Sequence, residues 1–449
     1  MNMTMIRTTC SKSVLRGCLF AIGLLLTAMR MGAQEADSGW LLRLTTDKRV
    51  KVEQFLKPEG RVKDIVVTDR YSETAGVGYD FTEACPSGTG AARFVSVNVP
   101  DGNYRITVLI GNSKQAGFTT IRAESRRLFV NDMETKAGQF KTCTFVTNKR
   151  TPRISDDETV ALKSREQGKL NWDDKLTIEI NGRQPQCAAI LIEREKDVPT
   201  VFLAGNSTVV DQDNEPWASW GQMIPLLFND SVCFANYAES GESLESFIAE
   251  KRLKKMVGEM KEGDYLFIEF GHNDQKIKGS GKGAHYSFAT NLKYCIDEAR
   301  GRGAIPVLLT PTCRRFFEDG RVKNTHGDYP EAVRDVAARE GVALIDLQEM
   351  TRTLYEALGE EGSKRAFVHY PAGTYPGQDK DLADNTHFNP YGAYEIARCV
   401  VEGMRTATPA LTAFLREGVT SFNPAVPDET ESFHWDDCPK VELEKPDGN

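Results

Sequence analysis

Residues 200–208 read TVFLAGNST. Five residues with β-branched and aromatic members close on Gly205, and a turn with two hydroxyls follows. A short apolar run bounded by turn residues reads as a buried strand. The same grammar repeats downstream. VCFANYA (232–238) precedes SFIAEKRLKKMVGEM (246–260), and YLFIEFG (265–271) precedes FATNLKYCIDEARGRG (288–303). IPVLLTP (305–311) precedes EAVRDVAARE (331–340), and ALIDL (343–347) precedes EMTRTLYEALG (349–359). The helical WGQMIPLLF (220–228) follows the first strand. Strands alternating with helices argue for a parallel sheet covered by helices on both faces, an αβα arrangement. Such sheets carry their sites at the carboxyl ends of the strands.

Upstream the pattern differs. VKDIVV, ARFVSVNV, YRITVLIG, RRLFVN, FKTCTFVT, KLTIEIN and AAILIE lie between about Gly39 and Glu193. Turn clusters such as Pro100-Asp101-Gly102-Asn103 and Asn181-Gly182 separate them, and no long helical period intervenes. Short strands with turn punctuation predict a β-sandwich over 39–195. The hydrophilic stretch Arg194–Pro199 then divides it from an α/β domain over 199–405, with a Pro- and acid-rich tail over 406–449. A polar break of this kind predicts two units that fold separately. A chain of 449 residues is too long for one core in any case.

Arg7, Lys12 and Arg16 precede the apolar Cys18–Met29, and Met31-Gly32-Ala33 offers a cleavage site. Residues 1–33 therefore read as a secretory signal; the run is short for a membrane span. Export to the periplasm or the extracellular space is the expectation, with no membrane span after cleavage. Removing residues 1–33 takes away four basic residues and no acids, which moves the formal net charge from −8 to −12. That sign argues against a nucleic-acid partner, since phosphate backbones are bound by Lys and Arg. The remaining eight cysteines show no C-x-x-C spacing, so neither zinc nor a disulfide scaffold is indicated. Cys233 and Cys399 sit in apolar runs and read as buried free thiols.

Four strand-end segments carry chemistry-bearing residues: Gly205-Asn206-Ser207-Thr208, Ala238-Glu239-Ser240-Gly241, Gly271-His272-Asn273-Asp274 and Asp384-Asn385-Thr386-His387. Singly, each reads as a cap, a turn or surface decoration. Together they fit acyl transfer. Ser207 supplies a nucleophile, His387 a base and Asp384 the group that orients it. The N–H groups of Ser207 and Gly241 and the Asn273 amide supply an oxyanion hole. Asn389-Pro390 reads as a helix start that places His387 on a loop held by a rigid element.

These four blocks, in order, resemble the SGNH (GDSL) hydrolases. VFLAGNSTVVD, PWASWGQMIP, FIEFGHNDQK, LLTPTCRRFF and DNTHFNPYGA are similar to rhamnogalacturonan acetylesterases, family 12 of the carbohydrate esterases, over about Pro199–Met404. The resemblance implies a three-layer αβα fold, hydrolysis of acetyl esters on pectic rhamnogalacturonan, and no metal or organic cofactor. The first block departs from the family's Gly-Asp-Ser by carrying Asn206. YSETAGVGYDF and VPDGNYRITVLIG resemble galactose-binding-like sandwiches, implying either sugar binding or a wall for the cleft. Arg314, Arg315 and Lys276 lie at the appropriate strand ends to meet galacturonate carboxylates. Acetylated xylan, another glycan, or a non-catalytic glycan-binding role are the competing expectations.

Overall fold

The computed structural model describes residues 39–85, 92–439 and 445–447, so the expected signal segment lies outside the described residues. The antiparallel region contributes β1 (Trp40–Arg43), β2 (Arg61–Asp64), β3 (Val77–Asp80), β4 (Arg93–Asn98) and β5 (Gly102–Gly111). It continues with β6 (Gly117–Ala123), β7 (Arg127–Thr135), β8 (Phe140–Lys149), β9 (Lys175–Gln184) and β10 (Cys187–Glu195). The α/β region follows with β11 (Thr200–Gly205), β12 (Cys233–Asn236), β13 (Tyr265–Glu269), β14 (Ile305–Leu309), β15 (Phe317–Glu318), β16 (Arg321–Val322) and β17 (Ala343–Ile345). A final pair, β18 (Phe367–Tyr370) and β19 (Leu382–Phe388), precedes the helix Pro390–Ala407.

Ten strands form one sheet in the order β17-β14-β13-β11-β12-β8-β5-β10-β1-β2. The first five are parallel. Their side chains alternate between two helical layers, because successive strand residues point to opposite faces. Val201, Leu203, Phe267, Val307 and Leu309 pack with Ile396, Val400 and Met404 of the helix Pro390–Ala407. Phe202, Ala204, Leu266, Ile268 and Leu308 pack with Phe247, Met256, Leu292, Ile296 and Val336 on the other face. Three layers result, α/β/α, as the strand–helix alternation predicts. Among the described residues no helix is long and apolar enough to cross a membrane.

The other half of the sheet is mostly antiparallel and shares a core with a separate five-stranded sheet, β3-β4-β9-β6-β7. Tyr104, Ile106, Val108 and Ile110 of β5 meet Leu176, Ile178 and Ile180 of β9 and Val95 and Val97 of β4 in that core. The two halves join where β8 runs beside β12, at Thr147 and Phe234. The polar stretch between β10 and β11 is therefore a connection within one sheet.

Buried ion pairs fasten the halves further. Arg127 donates from Nε and Nη2 to Asp211 Oδ2 at 2.9 and 2.7 Å, and both side chains are fully buried. Arg126 pairs with Glu215 at 2.6 Å, and Arg252 with Glu166 at 2.5 Å, all buried. The tail crosses this junction. Trp435 lies under Arg122, 3.8 Å from the guanidinium carbon to the ring centre, and donates to Glu215 at 3.0 Å. Cys233 and Cys399 are buried free thiols.

Candidate active site

Numbering the parallel strands by their order in the chain gives the arrangement 2-1-3-4-5, so the connections reverse direction between β11 and β13. Crevices at such switch points, beyond the carboxyl ends, are where open α/β sheets bind ligands. Ser207 follows β11 there and Asn273 follows β13. The Ser207 turn is held from below. Gln212 Nε2 donates to the Ser207 carbonyl at 2.8 Å. Asn236, at the end of β12, donates to Val209 O and to Asp211. Asp211 is the carboxylate that Arg127 of β7 binds, so the antiparallel region supports the Ser207 turn.

Ser207 Oγ lies 2.9 Å from His387 Nε2, and His387 Nδ1 lies 2.8 Å from Asp384 Oδ2. All three are at most 4% exposed. Asp384 Oδ1 also accepts the backbone N–H groups of Thr386 and His387, at 2.9 and 3.0 Å. Burial alone would raise the Asp384 carboxyl. The hydrogen bond and charge of His387, with those backbone donors, outweigh it and hold the group below the ordinary carboxylate range. The group is thus a carboxylate at neutral pH, able to fix the imidazole tautomer. Asp384 and His387 stand on strand β19, paired with β18, whereas sequence placed His387 on a loop. The Asn389 cap is as expected: its side chain accepts Gly392 N–H at 3.0 Å and opens the helix Pro390–Ala407.

Gly241 adopts a φ of +76°, a left-handed conformation that favours glycine. Asn273 Nδ2 donates to Glu242 O at 2.9 Å, tying its amide to the Gly241 loop. Lys276 donates to Asn273 Oδ1 at 3.1 Å and so orients that amide. Asp274 stands in the third of the four segments but received no role from sequence. Its two oxygens accept Leu244 N–H and Gly271 N–H at 2.8 and 2.9 Å, which joins the two loops, and burial pushes its carboxyl up to about 7.

Glu269, the last residue of β13, was also missed. It is buried behind the Ser207 turn, accepts from Trp220 Nε1 at 2.6 Å, and burial pushes it up to about 7. Its Oε1 and the Asn206 Oδ1 each lie 3.0 Å from Thr208 Oγ1. A buried acid therefore stands close to the position where Asn206 replaces the family's aspartate. The available signal was its place at a strand end, but its apolar neighbours made it read as part of the strand.

The two arginines proposed from sequence to meet carboxylates have other partners. Arg315 donates to Ser363 Oγ and Asn385 Oδ1, both at 3.0 Å, and to Glu360 O. It braces the strand that carries Asp384 and does not present a free fork. Arg314 donates to Thr325 Oγ1 and to His272 O.

Residues 203–394 match the GDSL-like lipase/acylhydrolase family. The rhamnogalacturonan acetylesterase RhgT of Bacillus subtilis is 44% identical over 207 residues, spanning 45% of this chain and 88% of that protein. The chain belongs to this family. A probable rhamnogalacturonan acetylesterase of B. subtilis, YesY, is 34% identical over 47% of this chain and 95% of its own length. The uncharacterized esterase YxiM of B. subtilis is 24% identical but spans 87% of this chain and 91% of its own length. The chain is thus an ester hydrolase. A hydroxyl, an imidazole and a carboxylate in series, beside a glycine and an asparagine amide, suit the transfer of an acyl group.

Proposed function

We propose that this protein is an exported carbohydrate esterase that removes acetyl groups from pectic rhamnogalacturonan. The observation that carries the chemistry is the unbroken series Ser207–His387–Asp384, buried at the switch point of the sheet. The 44% identical rhamnogalacturonan acetylesterase and its 34% identical probable counterpart from B. subtilis support the substrate.

Ser207 Oγ attacks the acetyl carbonyl carbon while His387 Nε2 takes its proton. The carbonyl oxygen becomes an oxyanion facing the N–H groups of Ser207 and Gly241 and the Asn273 amide, each worth about 3–4 kcal/mol in such a site. The C–O bond to the sugar breaks, and His387 returns the proton to the sugar hydroxyl. Water then attacks the acetyl-serine through the same base, releasing acetate and restoring Ser207. Asp384 holds the ring and stabilises the imidazolium.

In the same reading, residues 39–195 form a galactose-binding-like sandwich preceding the SGNH domain, and residues 1–33 direct export. The test is acetate release from acetylated rhamnogalacturonan beside acetylated xylan. Faster release from the former supports the reading. Preference for xylan overturns the substrate. No release from any acetyl ester overturns the enzyme and favours a glycan-binding role.

A further inference from the structure

Lys163 and Arg165 stand in the long connection between β8 and β9, on the single turn Ser164–Glu166. Glu166 fixes that turn, since both its oxygens bind the buried Arg252, at 2.9 and 2.5 Å. The two cations are thereby pressed onto the Gly241 loop. Lys163 Nζ donates to Ser240 O at 3.0 Å and pairs with Glu242. Arg165 Nε donates to Glu239 Oε1 at 3.0 Å, and its Nη2 donates to Ser240 O.

Arg165 Nη1 holds the carboxylate of Asp447, from the end of the chain. A Cβ placed on Gly241 would lie 2.9 Å from Asp447 Cβ and 3.7 Å from both Arg165 Nη2 and Lys163 Nζ. Two residues earlier in the tail, Lys445 Nζ lies 3.7 Å from Asp384 Oδ2. Residues 445–447 therefore lie across the site, from the triad carboxylate to the glycine of the oxyanion loop. The Asp447 side chain is 69% exposed, so its pairing is screened and exchangeable. Burial and the nearby Glu166 push the Glu239 carboxyl up to about 8, which weakens its hold on Arg165 and leaves the exposed Asp447 as the exchangeable partner.

We propose that Arg165, assisted by Lys163, is the subsite for a galacturonate carboxylate of the acetylated chain, and that Asp447 occupies it until substrate displaces it. The inference rests on the proposed pectic substrate and adds a specificity element from outside the α/β region. Arg165 is a binding residue and takes no part in bond breaking.

The experiment uses the full chain. D-galacturonate and D-galactose are compared as inhibitors of p-nitrophenyl acetate hydrolysis, and kinetics on acetylated rhamnogalacturonan are measured alongside. Galacturonate should inhibit where galactose does not. Arg165→Gln should weaken that inhibition by about tenfold or more, as expected for loss of a charge-assisted pair. It should raise KM for the polymer far more than KM for the small ester, with kcat moving less. Asp447→Asn, a change at an exposed side chain, should strengthen galacturonate inhibition. Equal inhibition by the two sugars overturns the subsite. So do equal losses on both substrates in Arg165→Gln, or unchanged inhibition in Asp447→Asn. If the polymer is not deacetylated while galacturonate still inhibits through Arg165, the pectic reading fails and the carboxylate subsite stands.

Discussion

The two halves of the ten-stranded sheet are built to different rules. In the parallel half both faces meet helices, and every residue of β11 is buried. In the antiparallel half β5 alternates between buried and partly exposed positions over Tyr104–Val108. A strand buried on both faces has room for reactive side chains only where it ends, so chemistry concentrates in the loops after β11, β12 and β13. The antiparallel half acts at a distance. It sends Arg126 from the β6–β7 turn, Arg127 from the start of β7, and Lys163 and Arg165 from the β8–β9 connection, toward the site formed by the other half. Placement of chemistry follows from layer coverage, and placement of support follows from where long connections can reach.

The largest expected effect tests whether bond breaking belongs to the parallel half. Ser207→Ala should keep its melting temperature and lose on the order of 10⁶-fold in kcat on an acetyl ester, by analogy with other serine triads. Asp384→Asn keeps the shape but favours the wrong tautomer, and should lose about 10⁴-fold. Near-normal turnover in either purified variant would remove that residue from the mechanism.

Next comes the junction. Arg127→Met leaves Asp211 buried without its partner, which should cost about 3–5 kcal/mol in chemical denaturation. A chain beginning at Val198 should be insoluble or inactive, since Asp211, Glu215 and Arg252 all lose buried partners. A soluble, active truncation would show that the halves are independent.

A smaller effect concerns pH. The Glu269 carboxyl is raised by burial, so its contribution to stability is full below its unfolded value near 4.3. That contribution is lost as pH rises through about 7, where the folded protein must ionise a buried group. Unfolding free energy should therefore fall between about pH 4 and 7, by on the order of 3 kcal/mol from this group. Glu269→Gln should flatten that slope; an unchanged slope would show that Glu269 is already ionised at pH 5. Smallest of all, Lys276→Met frees the Asn273 amide from one hydrogen bond and should lower kcat by up to about tenfold. A change confined to KM would instead place Lys276 on the substrate.

The parallel half was legible because its signals are local. Apolar runs gave the strands and helical periods gave the cover; the segments after the runs offered Ser207, Gly241 and Asn273 as candidates, and the Asp-x-x-His block before a helix start offered Asp384 and His387. The support was not legible, since pairing between distant residues leaves no local mark. Arg127 sits in RRLFVN, which reads as strand, and its partner Asp211 is 84 residues away. Lys163 and Arg165 lie in a stretch without period or motif. Arg315 had the right position, but only the fold shows its fork closed around Ser363, Asn385 and Glu360. His387 was expected on a loop because Asn389-Pro390 opens a helix just after it, whereas β19 exists through its pairing with β18, which leaves no local mark.

The hydroxyl of Ser207 and the imidazole of His387 are separated by 180 residues of chain. A ribosome that has just finished the first strand of the parallel half has made a serine with no base to activate it. On the proposed mechanism the esterase is armed only when β19 has emerged, far along the chain from β11. On that mechanism, translation products that stop before His387 carry Ser207 as an inert alcohol. Arming late in synthesis is a safeguard written into chain order, and it costs the protein slower, long-range folding.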